Sequence, residues 1–222
     1  MPTINIKGPI ISNDSKWVYD YFGMESVCPQ DVLQGLEACT TGEAVKVIIS
    51  SSGGDIVAAT EIYDALRNYC GDVQIKVVTA ASAATIIACA GQSEIVPTAL
   101  FMIHNVSSYA EGDYNEMDKQ SRILQTANRA VAAAYKLKTG KNEDELLDLM
   151  NKETWMTAKE AVENGFIDKI SEAKTSNNQP KNLQLAASIN EMIPPSIIAN
   201  LQNQRATIRT KLQLLKIKEE VK

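Results

Sequence analysis

A serine hydroxyl becomes a nucleophile when a neighbouring base takes its proton, and acyl transfer also needs hydrogen-bond donors aimed at the developing oxyanion. Three features of this 222-residue chain have the residue types and the order for that chemistry. Ser82 stands in the small-residue run Thr79-Ala80-Ala81-Ser82-Ala83-Ala84, where a β-branched segment gives way to an uncharged apolar one. His104 is the only histidine and follows 22 positions later, at the end of Leu100-Phe101-Met102-Ile103. Gly53-Gly54 closes the β-branched segment before that, and two residues without a Cβ let a backbone N–H come close to a neighbouring loop. A second donor is the N–H of Ala83 at the amino end of the helix that Ser82 opens, where the helix dipole adds to it.

Each feature also has an ordinary explanation. A serine before a helix is commonly an N-cap, Gly-Gly after a strand is commonly a turn, and a single histidine can be a core or surface residue. The serine lacks the G-x-S-x-G setting of the α/β-hydrolase elbow, which argues against that fold. What raises the three above coincidence is their order on elements that can bring them together.

Those elements are legible from hydrophobic periodicity. Residues 3–11 form a first strand interrupted at Gly8-Pro9, and Asn13-Asp14-Ser15 leads into a short helix through Trp17, Tyr21 and Phe22. Cys28-Pro29 introduces a helix over 32–39. The β-branched run 45–50 predicts a buried strand, and Ile56, Ala59, Ile62, Tyr63 and Leu66 recur at helical spacing after Gly53-Gly54-Asp55. Residues 73–78 alternate as the next strand, followed by an apolar helix over 83–90 and short strands at 94–97 and 99–103. Two strand–loop–helix units of about 30 residues imply parallel strands with crossover helices, and hence an α/β layered fold. In such a fold the Gly53-Gly54 and Ser82 loops open at the same carboxyl edge of the sheet, where sites form.

Further on, residues 112–138 predict one long amphipathic helix, long enough to project, that ends at Thr139-Gly140. A helix capped by Asn142 follows, then a capping box of Thr157 and Glu160, and Phe166–Ile170 closes the domain as a short strand. From Glu172 the composition turns polar, and a helical stretch with a broken heptad follows Pro194-Pro195. The expected organisation is a domain over 1–171, a linker over 172–194 and a helical tail over 195–222.

Composition narrows the partners. A hydrophobic fraction of 45% and a charged fraction of 22% are globular values, and a net charge of −5 gives no attraction for nucleic acid or anionic lipid. Cys28, Cys39, Cys70 and Cys89 have no metal-like spacing and are expected as reduced thiols. There is no signal-like start and no apolar run approaching the roughly 18 residues of a membrane span, so a cytoplasmic protein is expected.

Four segments, in this order, resemble the signature segments of the ClpP (caseinolytic, Clp-type) serine peptidase family: Ser52-Gly53-Gly54-Asp55-Ile56, Ala81-Ser82-Ala83, Met102-Ile103-His104-Asn105, and Thr157-Ala158-Lys159-Glu160-Ala161-Val162-Glu163-Asn164-Gly165-Phe166-Ile167-Asp168. Glu153-Thr154-Trp155-Met156-Thr157-Ala158 resembles more the ClpP-like head-maturation proteases of tailed phages and prophages. The resemblance covers residues 3 to 171. It implies a ClpP/crotonase-like β-β-α superhelix whose long helix projects as a handle for stacking rings. It implies Ser82 as nucleophile, His104 as general base and the N–H groups of Gly54 and Ala83 as the oxyanion hole, with no metal and no cofactor. The family's acid is an aspartate two residues before an aromatic; with Trp155 as that aromatic, the position falls on Glu153. Gly53, Asp55, Ile56, Asn105 and Val106 would pair with an extended peptide substrate through backbone hydrogen bonds, a β-augmentation.

The function implied is an endopeptidase cleaving scaffold or capsid-assembly proteins, as a homo-oligomeric ring in the host cytoplasm or within a prohead. The chain enters its first strand by Thr3 without the gate loop of ATPase-coupled members, which argues against an unfoldase partner. The alternatives are a self-compartmentalised housekeeping peptidase and a catalytically silent ClpP-fold assembly protein. A crotonase-type acyl-CoA enzyme would have no use for the serine–histidine pair.

Overall fold

The computed structural model describes residues 1–172, 193 and 196–204. Strand β1 (Thr3–Lys7) pairs in parallel with β2 (Val45–Ser51), which pairs in parallel with β3 (Val73–Ala81). Of the six buried inward positions of β1 and β2, five (Ile4, Ile6, Val45, Val47 and Ile49) are Ile or Val, types whose branched Cβ suits a pleated, packed surface, and the sixth is Ser51. Helices α2 (Pro29–Glu37), α3 (Ile56–Arg67) and α4 (Ala83–Ala88) pack on one another and on these strands. Asp55 caps α3, its Oδ1 accepting from the N–H groups of Val57 and Ala58 at 2.8 and 2.9 Å.

The helices cover one face of the sheet. On the other, β2, β3 and β4 (Gln92–Ile95) present Lys46, Gln74, Lys76, Gln92 and Glu94 along a cleft, with Lys76 and Glu94 3.9 Å apart. Parallel sheets are usually covered on both faces. Here the alternation of Val73–Val78 already marks a sheet with one wet side.

Strand β3 carries two partners in succession. Its first half pairs with β4, and its last residues, Ala80 and Ala81, pair with Phe101 and Met102 of β5 (Leu100–Ile103). Between β2 and β3 the register jumps, Ile49 facing Val77 and Ser50 facing Thr79, so Val78 is an extra residue in a bulge. The single alternation in Thr154–Thr157 is too short to announce a strand, yet it forms β6, which runs antiparallel to β5. The expectation of parallel strands therefore holds for all pairs but this one. The closing strand over 166–170 is confined to β7 (Lys169–Ile170), which pairs with β4.

Helix α5 (Tyr114–Thr139) runs 26 residues, between a capping box of Asp113 with Glu116 and Gly140 at φ 71°. Its buried residues are Val131, Ala132 and Tyr135, all in the second half, so the first half stands clear of the core as its length predicts. The short α1 (Lys16–Tyr21), α6 (Glu143–Asn151) and α7 (Ala158–Glu163) complete the chain to residue 172. A second small core joins Ile11, Tyr19 and Cys28 to Met24, Ile193 and Ile198; residues 196–204 are helical, and the Ile193 N–H donates to the Tyr19 hydroxyl at 3.2 Å. The rest of the expected linker (173–192 and 194) and of the tail (195 and 205–222) lies outside the described residues. Among the described residues no helix is long and apolar enough to cross a membrane, and the four cysteines carry no disulfide.

Candidate active site

Ser82 ends β3 and opens α4, but it does not cap the helix. Its side chain makes no capping bond; the Oγ lies 2.7 Å from His104 Nε2. Its backbone has φ 54° and ψ −130°, a region that L-residues with a side chain occupy at a cost of about 1–3 kcal/mol when the surroundings over-determine it. Two neighbouring elements make the pairing possible. The Ser82 N–H donates to Met102 O of β5 at 2.9 Å, and His104 lies two residues beyond Met102, immediately after Ile103, the last residue of that strand.

Gly53 and Gly54 are required by close approach. A Cβ on Gly53, at φ 100°, would lie 2.7 Å from the Ser82 Cβ and 2.9 Å from the Ala83 nitrogen; one on Gly54 would lie 2.1 Å from Ile10 O. The Gly-Gly loop is thus pressed between the Ser82 loop and the segment after β1. Ser51, 2% exposed, holds it there: its hydroxyl donates to Gly8 O at 2.6 Å and accepts from the Gly53 N–H at 3.1 Å. Among the described residues, nothing accepts from the N–H groups of Gly54 and Ala83.

Glu153, the expected acid, is arranged less tightly. The β5–β6 register pairs Ile103 with Thr154, and one step further along antiparallel strands sets His104 opposite Glu153. Glu153 has φ 49°, a second non-glycine residue at positive φ. Its carboxylate accepts from Trp155 Nε1 at 3.2 Å, and among the described residues no hydrogen bond joins it to His104.

The segment after His104 is tied down by two side chains that periodicity alone does not mark. Asn128 of α5 accepts from the Val106 N–H at 2.7 Å, and Asn151 of α6 accepts from Asn105 Nδ2 at 2.7 Å. A lone asparagine on a helix carries no signal until the partner strand is known. Of the positions expected to pair with a peptide, Gly53, Asp55 and Val106 have their N–H groups engaged, by Ser51, Ile10 O and Asn128 respectively. Ile56 opens α3.

A serine at a strained strand-to-helix junction, a histidine within hydrogen-bond reach of its hydroxyl and two unclaimed backbone donors at the edge of a parallel sheet give this α/β protein the groups that serine hydrolysis uses. Comparison with known proteins narrows it. The family model for "Clp protease" matches residues 23–174, and the chain belongs to that family. It is 26% identical over 148 residues to the ATP-dependent Clp protease proteolytic subunit 2 of Tropheryma whipplei (strain Twist), covering 65% of this chain and 81% of that protein. Similar matches are the proteolytic subunit of Bacteroides fragilis, at 28% over 139 residues (61% and 67%), and subunit 1 of Protochlamydia amoebophila, at 26% over 166 residues (71% and 81%). The parallel sheet with one layer of helices and a projecting α5 is the ClpP-like fold that the sequence predicts.

Proposed function

We propose that this protein is a serine endopeptidase in which Ser82 attacks the scissile carbonyl and His104 takes its proton. The single observation that carries this reading is the 2.7 Å contact between His104 Nε2 and Ser82 Oγ, made by a serine whose position at a helix start would otherwise serve as a cap. The tetrahedral oxyanion is held by the N–H groups of Gly54 and Ala83. His104 then returns the proton to the leaving amine, and water hydrolyses the acyl-serine by the same route. Glu153 orients and stabilises the imidazolium after its carboxylate turns from Trp155 Nε1 to the ring, a change of side-chain rotamer at an exposed residue. The substrate is an extended protein segment, of scaffold or capsid-assembly origin in the phage reading, bound at the edge between the Gly53–Ile56 and Asn105–Val106 segments. The active form is a homo-oligomeric ring in the host cytoplasm or a prohead.

A second reading is a proteolytic subunit that works with an ATPase, and the names of the relatives favour it. Two experiments separate the readings. A fluorophosphonate probe labels wild type, and labelling disappears in Ser82→Ala and falls in His104→Ala and Glu153→Gln; a label that persists in Ser82→Ala sinks the nucleophile. Co-expression with capsid and scaffold proteins, followed by intact-mass analysis, gives Ser82-dependent fragments under the maturation reading. Cleavage of folded substrates only when an ATP-driven unfoldase is added supports the second. If wild type neither labels nor cleaves, the protein is a silent member of the family.

A further inference from the structure

The backbone of Ser82 is gripped from both sides. Its N–H goes to Met102 O, and its carbonyl accepts twice, from the Thr85 N–H at 3.0 Å and from Thr85 Oγ1 at 2.6 Å. Thr85 Oγ1 lies a further 2.7 Å from the hydroxyl of Tyr135, 50 residues away on α5. The proton order follows from the chemistry of the groups. A carbonyl can only accept, so the one proton of Thr85 goes to Ser82 and Tyr135 must donate to Thr85. Thr85 is 0% and Tyr135 1% exposed, so no bulk water competes for either hydroxyl. Tyr135 is itself wedged edge-on against Phe166, with ring centroids 5.4 Å apart.

We propose that Thr85 and Tyr135 are positioning residues: a buried relay through which α5 holds the Ser82 carbonyl, and with it the positive-φ elbow that points Oγ at His104. The inference rests on Ser82 being the nucleophile. It makes the nucleophile's geometry depend on the seat of the inner half of α5, the same helix whose outer half stands clear of the core. A threonine hydroxyl that merely satisfied a tyrosine would need no third partner. Here the third partner is the carbonyl of the strained residue.

Four variants separate a positioning role from a purely structural one. Thr85→Val removes the side-chain bond to Ser82 and strands the Tyr135 hydroxyl; Tyr135→Phe removes only the outer link. The double variant removes both hydroxyls and strands neither; Thr85→Ser keeps the relay. The readouts are the rate of fluorophosphonate inactivation, kcat and KM on a peptide ester, and the urea midpoint at fixed protomer concentration. Thr85→Val is expected to slow inactivation and kcat about tenfold, the effect of losing one ordinary hydrogen bond's worth of positioning, with KM unchanged within about twofold. Thr85→Ser stays near wild type, and Tyr135→Phe falls between. The double variant recovers much of the urea midpoint lost in Thr85→Val, because no buried hydroxyl is orphaned, yet remains slow. A double variant that recovers rate along with midpoint overturns the relay, as do variants that inactivate at the wild-type rate. Absence of labelling in wild type overturns the nucleophile and the relay together, whereas labelling that no variant changes overturns the relay alone.

Discussion

Replacing Ser51 with alanine isolates what holds the Gly53-Gly54 loop against Ser82. The hydroxyl makes two bonds, to Gly8 O at 2.6 Å and from the Gly53 N–H at 3.1 Å, in a residue 2% exposed. A methyl group in its place breaks both and leaves two backbone groups without a protein partner. An intramolecular hydrogen bond contributes about 0.5–1.5 kcal/mol net, and a buried polar group left unpaired costs about 1–3 kcal/mol. The Gly53 N–H is buried and takes the larger penalty; Gly8 is half-buried and its carbonyl recovers part of the loss from water. The sum is about 3 kcal/mol, which for a protein of this size lowers Tm by about 6–12 °C. Activity should fall by more than stability explains, because the loop that loosens is the one presenting the Gly54 N–H, and loss of one oxyanion donor costs about a hundredfold or more in kcat. Thermal melts and fluorophosphonate inactivation, both at fixed protomer concentration because assembly raises apparent stability, give the two numbers. A Tm within about 2 °C of wild type, with an unchanged inactivation rate, would refute the view that Ser51 holds the loop.

Other perturbations test separate parts of the structure. Ser82→Gly should have a higher denaturation midpoint than Ser82→Ala, by about 1 kcal/mol, since glycine relieves the positive-φ cost but loses more chain entropy; equal midpoints would mean the elbow is unstrained. Asp168 loses some hydration where it sits, which raises its carboxyl pKa, but bonds from Lys138 and from the N–H and hydroxyl of Ser93 outweigh this and hold it below its usual 3.8. A depressed folded-state pKa gives stability that is complete above the unfolded value and lost as pH falls through the folded one, so Asp168→Asn should be less stable than wild type at pH 7 and approach it only as pH falls well below the usual carboxylate range. A gap that persists undiminished at low pH would place the effect elsewhere. Burial pushes the Cys89 thiol up to about 12, whereas Cys70 is exposed. At pH 8 a thiol reagent should therefore modify Cys70 quickly and Cys89 only on unfolding, as peptide mass mapping will show; equal rates would contradict the burial of α4.

Much of the molecule was legible because its signals are local. Strands β2 and β3, helix α3 and the 26-residue α5 carry strong periodicity or complete caps, and the order Gly-Gly, Ser, His is preserved on the elements that periodicity defines. What escaped is what depends on partners distant in the chain. Strand β6 is four residues long and is a strand because β5 lies beside it. Asn128 and Asn151 acquire meaning only when the segment after His104 is laid against α5 and α6. Thr85 and Tyr135 look like a helix residue and a core aromatic until their hydroxyls meet. The position of Glu153 came from a resemblance, and the β5–β6 register sets it opposite His104 while its carboxylate turns toward Trp155.

The division of β3 between two partners has a consequence for how the molecule comes apart. β3 shares seven paired positions with β2 but only two with β5, the strand that leads to His104. β5 is held besides by its four pairs with β6, by the Ser82 N–H on Met102 O at 2.9 Å and by the packing of Phe101 against Phe166, ring centroids 5.5 Å apart. Hydrogen-bonded ladders and aromatic contacts weaken differently with temperature and denaturant, and cooperative units can open below the global transition. Ser82 and His104 therefore belong to regions with different anchoring, and separating β5 and β6 from the end of β3 would part the proposed catalytic pair while the β1–β2–β3 body and its helices stayed folded. Loss of the proposed activity on heating is then a measure of that seam, and a protein can be inactive and still give an almost native circular dichroism spectrum.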